Sequence, residues 1–374
     1  MKYICEYQIP GANSEERYFA LSACDKAKYV HSVLNRLGYD VEIVSPSYAK
    51  RCSRSRVDKV SEHVILYSGF SLGWNDNVTK VISRASAMLW LLYFLLFKCK
   101  RKETIMIYHG VQNIPIYIIA KKIKRFKYIL EVEELYSSLS LSSVSCRLWL
   151  EKTMIRLADS FIFASQQLEC KCNVYNKPFV IDTGSYFVPD VKSEKINDGR
   201  IHLVYAGLIE KDKVAFKSAN LARFLDARYV IHIIGYGNDA DINALEMLIN
   251  ELNLECKCLV SYDGLKRGDD YESFLQSCHI GICPLLKNLD YQMACFPSKI
   301  TSYLSNGLLV VTTENEVLRT SVYMEYLYFV KDDSPESFAH TVTHIDVTKG
   351  QDARICIKNE DERVLQELPL VLSI

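Results

Sequence analysis

The sequence predicts an α/β protein of two domains, each with a parallel β-sheet covered by helices on both faces. Short apolar segments typical of buried strands alternate with longer segments of helical periodicity. The alternation lapses once, across the polar residues 189–200, and then restarts. A length of 374 residues suits two domains. Because crossover connections between parallel strands are right-handed, the pattern favours doubly wound, Rossmann-like domains.

In the first half, short runs of β-branched and aromatic residues are closed by turn or polar residues. The run at 41–44 is closed by Ser45-Pro46-Ser47, and the run at 104–108 by His109-Gly110. Helical spacing of apolar residues fills the intervals. Strands are predicted over residues 3–8, 41–44, 63–67, 104–108, 128–132, 161–164 and 179–181. Helices are predicted up to Leu37, around 88–97, and over 114–122 and 146–157.

The same rhythm continues after the polar stretch. Strands are predicted over residues 201–205, 229–234, 258–261, 279–283, 308–311 and 327–330. Helices are predicted up to Leu225 and over 242–252, 271–277 and 297–306. We therefore place an N-terminal domain at 1–189 and a C-terminal domain at 190–374. The ligand site is expected in a cleft where the carboxyl ends of the two sheets face each other.

Composition excludes several classes of protein. Lysine plus arginine and aspartate plus glutamate number 45 each, so the net charge gives no support for nucleic-acid binding. Thirteen cysteines and a strand-like N-terminus without a signal peptide predict reduced thiols and a cytoplasmic location. The two Cys-Lys-Cys pairs, at 170–172 and 256–258, are too closely spaced for a zinc site. We predict neither a metal nor a cofactor.

An apolar run from Met88 to Phe97 is followed by basic residues at 98–102, and a second basic cluster lies at 121–127. The run is shorter than the ~20 residues that a bilayer-spanning helix needs. A core helix with a basic C-terminus explains it. Peripheral contact of the basic faces with the inner face of a membrane is the alternative.

The segment from Cys295 to Thr313 predicts a phosphate site. Pro297 and Ser298 open a helical pattern that Gly307 ends, and an apolar strand follows. The first amides of a helix lack intrahelical partners and favour an anion. Lys299 adds a positive charge at the same place. A proline-capped helix that binds nothing is the alternative.

Acidic residues crowd the end of the strand at 128–132. Glu131, Glu133 and Glu134 follow apolar residues, and the carboxyl ends of strands line the ligand site in this fold class. Glu133 or Glu134 is predicted to orient or deprotonate an acceptor hydroxyl, with His109 as a second candidate. The alternative is an acidic start to the next helix.

Residues Gly235 to Ala240 also match the pattern G-x-G-x-x-A after a strand, and Glu255 lies 20 residues beyond Gly235. This is the spacing of a dinucleotide-binding fold, in which the acid holds a ribose. An enzyme that uses NAD is therefore a second hypothesis. A plain strand-to-helix turn also explains these glycines.

Taken in order, the motifs of the second half resemble the nucleotide-sugar-binding domain of GT-B glycosyltransferases, in particular the retaining glycosyltransferase family 4. The segments that carry the resemblance are 204–207 with Lys213, 233–237, 262–264, 277–284 and 296–307. In the first half the resemblance is looser and includes Gly11. It implies donor contacts by Gly207, Lys213, Gly235, Gly237, Pro297, Ser298, Lys299 and Ser302, and acceptor-side contacts by Gly11 and Asn13.

The sequence departs from that family at two acidic positions. Aligned on Phe296, the two glutamates that family members often carry fall on Ala294 and Ser302, and an arginine is replaced by Leu208. The resemblance implies a metal-independent, retaining transfer from a nucleotide-diphosphate sugar to a saccharide or lipid-linked acceptor in surface polysaccharide synthesis. A non-catalytic relative that binds sugar nucleotides is the third hypothesis, because both carboxylates are missing.

Overall fold

The chain folds into two α/β units. The computed structural model describes residues 1–9, 16–110, 112–135, 144–183, 187–285, 296–348 and 350–373. The first unit comprises Met1–Ser185 and Glu362–Ile374, and the second comprises Tyr186–Asp361. The second unit begins close to the predicted boundary at 189. The last residues of the chain, however, belong to the first unit, which corrects the predicted extent of the C-terminal domain.

Eight strands form the sheet of the first unit in the described residues. They are β1 (Lys2–Ile4), β2 (Val41–Ser45), β3 (Arg56–Ser61), β4 (Val64–Ser68), β5 (Thr104–Tyr108), β6 (Lys127–Val132), β7 (Ser160–Phe163) and β8 (Phe179–Ile181). Their order is β3-β4-β2-β1-β5-β6-β7-β8. All neighbours are parallel except β3, which pairs antiparallel with β4. The strand order reverses direction between β1 and β5. At such a position the loops that follow the two strands run to opposite sides and leave a crevice between them.

The edge strand β3 was not predicted. Its sequence alternates Arg56, Asp58 and partly exposed apolar residues, which gives no buried strand signal. Charged side chains suit an edge because they discourage pairing with a further strand. The charged residues that protect β3 from pairing with a further strand also remove the apolar periodicity by which a strand is predicted.

Among the residues that the structure describes, five helices of the first unit connect these strands. They are α1 (Leu21–Arg36), α2 (Asn77–Phe97), α3 (Ile114–Lys124), α4 (Val144–Leu157) and α5 (Gln166–Cys172). Asp76 caps α2 by accepting hydrogen bonds from the amides of Val78 and Thr79. The cap starts α2 eleven residues before the apolar run, so the helix is long and apolar enough to cross a membrane by length and composition. The expectation that this part of the chain is too short to span a bilayer, which considered only the run at 88–97, was wrong.

The described part of the second unit contains six strands and seven α-helices, and the last of these helices continues into the first unit. The strands are β9 (Ile201–Ile209), β10 (Tyr229–Gly237), β11 (Leu259–Tyr262), β12 (Ile280–Cys283), β13 (Leu309–Thr313) and β14 (Leu327–Val330). The helices are α6 (Val214–Ala219), α7 (Asp239–Glu255), α8 (Asp269–Ser277), α9 (Ser298–Ser305), α10 (Glu316–Arg319), α11 (Pro335–Thr343) and α12 (Arg354–Leu372). The strand order β11-β10-β9-β12-β13-β14 is parallel throughout and reverses between β9 and β12.

The last helix, α12, accounts for the assignment of the C-terminus to the first unit. Its apolar residues Val364, Leu368 and Val371 are buried in the same core as Tyr3 and Ile129. Arg363 donates to the carbonyl of Ile181 at 2.7 Å, and Ser160 donates to that of Val371 at 3.0 Å. Neither α11 nor α12 was predicted. Charged residues interrupt the apolar pattern of α12, whereas α11 has its buried residues Phe338, Ala339 and Val342 at helical spacing.

Tyr303 fixes α9 against the sheet of the second unit. Its ring packs on Gly281 of β12, where a Cβ would lie 2.4 Å from the ring atom Cδ2. Its hydroxyl oxygen accepts a hydrogen bond of 2.8 Å from the amide of Ala206 in β9. That amide lies beyond the last paired residues of β9 and β12, so the tyrosine supplies the partner that the neighbouring strand does not.

We expect Tyr303→Phe to lower the free energy of unfolding by about 1–3 kcal/mol, because the buried amide of Ala206 loses its acceptor. Urea denaturation followed by circular dichroism measures the change. Tyr328→Phe is the matched control, since the Tyr328 hydroxyl has no hydrogen-bond partner among the described residues and we expect a change below about 0.5 kcal/mol. Equal effects of the two substitutions would contradict this role of Tyr303.

Candidate functional site

The reversal of strand order in the second unit creates the candidate site. β9 and β12 are neighbours, but they pair only through Leu203 and Val204, near the start of β9. β9 then continues to Ile209 beside β10 alone. In open parallel sheets, ligands bind at the carboxyl ends of strands where the strand order reverses. The segments that follow β9 and β12 therefore border this position.

Helix α9 begins at this edge of the sheet. Pro297 occupies the N-cap position with extended backbone, and no side chain caps the helix. The amide of Ile300 bonds to the carbonyl of Pro297 at 3.0 Å, and the amides of Ser298 and Lys299 have no intrahelical acceptor. Uncapped amides and the helix dipole together favour a bound anion.

Lys299 reaches from α9 back to β9. Its Nζ lies 5.4 Å from the centroid of the Tyr205 ring, and its methylene stem lies over Gly207. A Cβ at Gly207 would lie 2.5 Å from the Lys299 Cε and 3.0 Å from its Nζ. Glycine at 207 is therefore required for the lysine to take this position. The side chain brings a positive charge to the strand end beside the uncapped amides.

Gly235 and Gly237 allow β10 to approach β9 along this edge. Gly235 pairs with Gly207, and its φ is +146°, a conformation that side-chain-bearing residues avoid. A Cβ there would lie 1.8 Å from the Gly207 carbonyl oxygen, and one at Gly237 would lie 2.4 Å from the Ile209 carbonyl oxygen. Both glycines thus lie within a paired strand and permit close backbone packing.

Lys213 and Ser302 are placed at the borders of the same region. Lys213 is the N-cap residue of α6, four residues after β9, and its Nζ lies 2.7 Å from the Glu210 carboxylate. The pair is about half exposed. Ser302, one turn into α9, shares a hydrogen bond of 3.0 Å with the Tyr271 hydroxyl of α8. Its hydroxyl is thus held by the neighbouring helix.

The geometry argues against the dinucleotide-binding interpretation of Gly235 to Ala240. In that fold the acidic residue follows the second strand, at the same edge as the glycine turn. Glu255 instead ends α7 and precedes β11, so it lies at the amino edge of the sheet. Its carboxylate binds Arg223 at 2.7 Å. Glu255 is therefore not placed to hold a ribose near Gly235.

In the first unit, His109 and the acidic residues lie at the carboxyl ends of β5 and β6. His109 is buried, with Nδ1 3.1 Å from the Glu134 carbonyl oxygen and Nε2 3.3 Å from the Glu151 carboxylate. Burial lowers the pKa of His109, although Glu151 opposes the shift. The imidazole therefore links the end of β6 to α4. A catalytic role of His109 and Glu134 stays a prediction.

Glu131 and Glu133 belong to a buried ionic cluster with Lys26 of α1 and Asp182, which follows β8. Lys26 Nζ lies 2.8 Å from Asp182 Oδ2 and 3.5 Å from Glu133 Oε1. The Tyr3 hydroxyl donates to Glu131 Oε2 at 2.5 Å. Burial raises the pKa of Glu131 to about 8, although Lys26 opposes the shift, and burial also raises the pKa of Glu133.

This cluster changes the interpretation of the acidic strand end. Three carboxyl groups lie around one buried ammonium, and the pKa of Glu131 is raised first by burial and then by the neighbouring charge of Glu133. The sequence could not reveal the cluster because Lys26 and Asp182 are distant along the chain. A catalytic role for Glu133 also stays a prediction.

Sequence reasoning missed Glu6, two residues beyond β1, where the strand order of the first unit reverses between β1 and β5. Burial raises its pKa to about 7, although Arg84 opposes the shift. A carboxyl group directly after the first strand was a detectable signal. Three other residues of interest, Gly11, Asn13 and Ala294, lie outside the described residues.

A cavity of about 280 Å³ lies at the carboxyl ends of β2 and β4. The rings of Tyr18 and Tyr48 stack with their centroids 5.2 Å apart, and Lys80 Nζ lies 4.8 Å from the Trp74 ring centroid. The residues lining the cavity are Glu16, Arg17, Tyr18, Phe19, Tyr48, Lys50, Trp74 and Lys80. Aromatic faces beside cations can bind the apolar faces and anionic groups of a saccharide.

Comparisons with protein-family profiles and with curated proteins give no match. Solved structures do match. Sucrose-phosphate synthase from Thermosynechococcus elongatus has a TM-score of 0.71 at 14% identity, covering 100% of this chain and 96% of that chain. A UDP-forming α,α-trehalose-phosphate synthase from Burkholderia xenovorans, in complex with glucose-6-phosphate, has a TM-score of 0.67 at 9% identity, covering 98% and 99%. Anabaena HepE in complex with UDP has a TM-score of 0.64 at 12% identity, covering 100% of both chains.

At these identities the similarity shows the fold. The chain has two parallel-sheet α/β domains of the GT-B type, which confirms the predicted fold class. The particular resemblance to glycosyltransferase family 4 stays a prediction, since similarity to sucrose-phosphate and trehalose-phosphate synthases at these identities shows the fold and not that family.

We expect Glu131→Gln to make folding stability less dependent on pH. A carboxyl group whose pKa is raised on folding contributes stability below about pH 4.5, and that stability is lost as the pH rises through about 8. The amide keeps an acceptor for Tyr3 and carries no charge. Between pH 6 and 9 the variant should lose less stability than the wild type, by on the order of 1–3 kcal/mol.

Urea denaturation at several pH values measures this difference. Glu42→Gln is a matched control, because the Glu42 carboxylate is 38% exposed and pairs with Lys2 at the surface. A wild-type pH profile unchanged by Glu131→Gln would contradict the assignment of a raised pKa to this group.

Proposed function

We propose that the protein is a glycosyltransferase that takes a sugar from a nucleotide-diphosphate sugar, with the donor diphosphate bound in the second unit. One observation carries the proposal: Lys299 lies over Gly207 at the reversal of strand order, beside the uncapped amides of Ser298 and Lys299. The GT-B fold supports it, and one similar structure, Anabaena HepE, is in complex with UDP.

The chemistry of transfer suits this arrangement. As the glycosidic bond breaks, negative charge grows on the departing diphosphate. Positive groups fixed in place before the reaction stabilise that charge more than the charge of the bound donor, which lowers the barrier. Lys299, the first amides of α9 and Lys213 supply such groups without a metal ion. We propose a metal-independent transfer for this reason.

Pro297 holds the start of α9 in extended backbone, and Gly235 and Gly237 keep the strand edge free of side chains. Ser302 stands where the sequence resemblance places a ribose-binding group. Its hydrogen bond to Tyr271 fixes the hydroxyl position, and its oxygen can still accept or donate one further bond. We propose a weaker ribose contact than a carboxylate would give.

We propose that the acceptor is a saccharide or a lipid-linked saccharide bound by the first unit. The aromatic and basic cavity of Tyr18, Tyr48, Trp74 and Lys80 supports this choice, as does the reversal of strand order beside Glu6. Glu6, with a pKa raised to about 7 chiefly by burial, joins Glu133, Glu134 and His109 as a candidate to orient the acceptor hydroxyl. Retention of configuration and a role in surface polysaccharide synthesis rest on the sequence resemblance.

A non-catalytic relative that binds sugar nucleotides is the second candidate. The observation that favours it is the absence of a carboxylate at Ser302, together with Ala294 in the sequence. The two candidates share the donor site and differ in turnover. Transfer or hydrolysis of radiolabelled UDP-, GDP- or ADP-sugars separates them, because only the enzyme releases the nucleoside diphosphate.

We expect a nucleoside diphosphate to raise the melting temperature by mass action, and Lys299→Met to weaken its binding about 10–100-fold. Methionine keeps the apolar stem over Gly207 and Tyr205 and removes the charge. A screen of UDP, GDP, ADP, CMP and NAD by thermal shift identifies the base, and calorimetry of the best ligand measures the variant.

Lys358→Met is the matched control, since Lys358 is an exposed lysine of α12 in the second unit. It should bind like the wild type. Two results would contradict the proposal: equal affinity in the Lys299 and Lys358 variants, or a thermal shift with NAD and with none of the nucleoside diphosphates.

A further inference from the structure

Helix α2 carries an exposed apolar stripe along its whole length. Six large apolar side chains on it are 49–72% exposed. They are Val78, Val81, Ile82, Leu89, Tyr93 and Phe97. At 100° per residue these positions fall on one side of the helix, over about 28 Å of its axis. A soluble protein rarely exposes so continuous an apolar surface without a partner.

The opposite side of α2 is fixed to the first unit. Ser83, Ala87, Leu91, Phe94 and Leu95 are buried. The two charged residues within the helix also avoid the stripe. Lys80 lies over the Trp74 ring and Arg84 over the Tyr48 ring. The helix therefore has one apolar side inside the unit and a second, uncharged apolar side outside it.

Exposed cations gather where the stripe ends. Lys124 of α3 donates to the Leu96 carbonyl at 2.8 Å, and the Lys102 amide donates to the Lys124 carbonyl at 3.2 Å. These bonds hold the end of α3 against the end of α2. None of the exposed cations around them forms an ion pair within the described ranges. They are Lys98, Lys100, Arg101, Lys102, Lys122, Arg125 and Lys127.

The neighbouring helix α3 extends the apolar surface. α2 and α3 pack side by side. On α3, Ile119 is 44% exposed and Ile123 is 57% exposed, and the exposed Lys122 lies between them in sequence. Apolar side chains flanked by several unpaired cations are the pattern of a helix that lies in the interface of an anionic bilayer.

We propose that the outer surface of α2 and α3, with the cations around Lys98 to Lys102 and Lys122 to Lys127, docks the protein on an anionic phospholipid bilayer. Charge complementarity selects this occupant, because the seven exposed cations at the end of the stripe form no ion pair in the described residues. Glu103, the acidic residue next to them in sequence, is partly buried and paired with Lys2. The apolar stripe enters the headgroup region, and the cations contact lipid phosphates. The helix lies along the bilayer, since its inner side is packed on the first unit.

This docking surface is independent of sugar transfer, because its residues are separate from the proposed donor site. It fits a lipid-linked acceptor and a location at the cytoplasmic face of a membrane. Binding to vesicles without any sugar nucleotide tests it, so its failure is distinguishable from failure of the proposed transfer.

The protein is mixed with vesicles of phosphatidylcholine alone, or of phosphatidylcholine with 30 mol% phosphatidylglycerol, which is roughly the anionic content that attracts polybasic segments. Flotation then separates vesicle-bound protein from free protein. We expect at least about tenfold more binding to the anionic vesicles, falling steeply between 0.05 and 0.5 M salt (about 14 Å to 4 Å of Debye length). Lys100→Gln with Arg101→Gln should reduce binding about 30-fold, from roughly 1 kcal/mol per cation. Leu89→Ser with Phe97→Ser should reduce it at least as much.

Matched controls lie on the second unit. Leu254→Ser removes an exposed leucine of α7, and Lys358→Gln removes an exposed cation of α12; both should bind vesicles like the wild type. Circular dichroism confirms that each variant is folded. Equal binding to both vesicle types, or loss of binding in the controls alone, would overturn the proposal.

Sedimentation velocity without lipid tests another occupant. The protein could form a dimer that dissociates in the Leu89→Ser, Phe97→Ser variant and could fail to bind vesicles. That result would show that a second copy covers the stripe and that the lipid proposal is wrong. A monomer that floats with anionic vesicles and is released by high salt supports it.

Discussion

The close approach of backbone and lysine at Gly207 is the constraint on which the candidate site depends. Gly207 leaves room for the Lys299 stem, and Gly235 leaves room for the Gly207 carbonyl. A side chain at either position would displace the next strand or the lysine. The positions of Gly207, Gly235 and Lys299 therefore depend on one another. Because the two glycines have no side chains, the Lys299 ammonium can lie at the end of β9.

The separation of β9 from β12 leaves the space that the Lys299 side chain occupies beside Gly207. Pairing stops after Val204, and the Tyr303 hydroxyl takes over the hydrogen bond of the Ala206 amide. The same residue packs its ring on Gly281 and so sets the height of α9 above the sheet. Strand separation, helix position and the free amides of Ser298 and Lys299 are thus linked through one side chain.

Much of this architecture was predictable from the sequence. Apolar periodicity located the central strands, and β5, β8 and β14 were predicted with the bounds that the structure shows. The position of α9 followed from Pro297 and Gly307 at the helix ends, whereas the role of Lys299 in donor binding stays a prediction. The elements β3 and α12 were not predicted, because apolar periodicity detects only elements with a clear buried face. β3 buries little apolar surface, and α12 carries many charged residues.

Tertiary partners set the limit of that analysis. The acidic end of β6 looked like a catalytic group, and nothing local shows that Lys26 and Asp182 join it in a buried cluster. Likewise, the apolar run at the end of α2 looked like a core helix. Only the structure shows that three of the ten side chains of this run, Leu89, Tyr93 and Phe97, are at least half exposed. Sequence spacing shows which residues share a face, whereas the fold decides what that face meets.

Hydrogen–deuterium exchange with UDP, or with whichever nucleoside diphosphate the protein binds, tests the central claim most directly. The account predicts slower exchange in peptides that cover residues 205–214 and 296–306, since the diphosphate would bond the amides at the start of α9 and cover the end of β9. The nucleoside alone, which lacks phosphate, should leave residues 296–306 unchanged. Protection confined to other segments, or equal protection by nucleoside and diphosphate, would contradict the account.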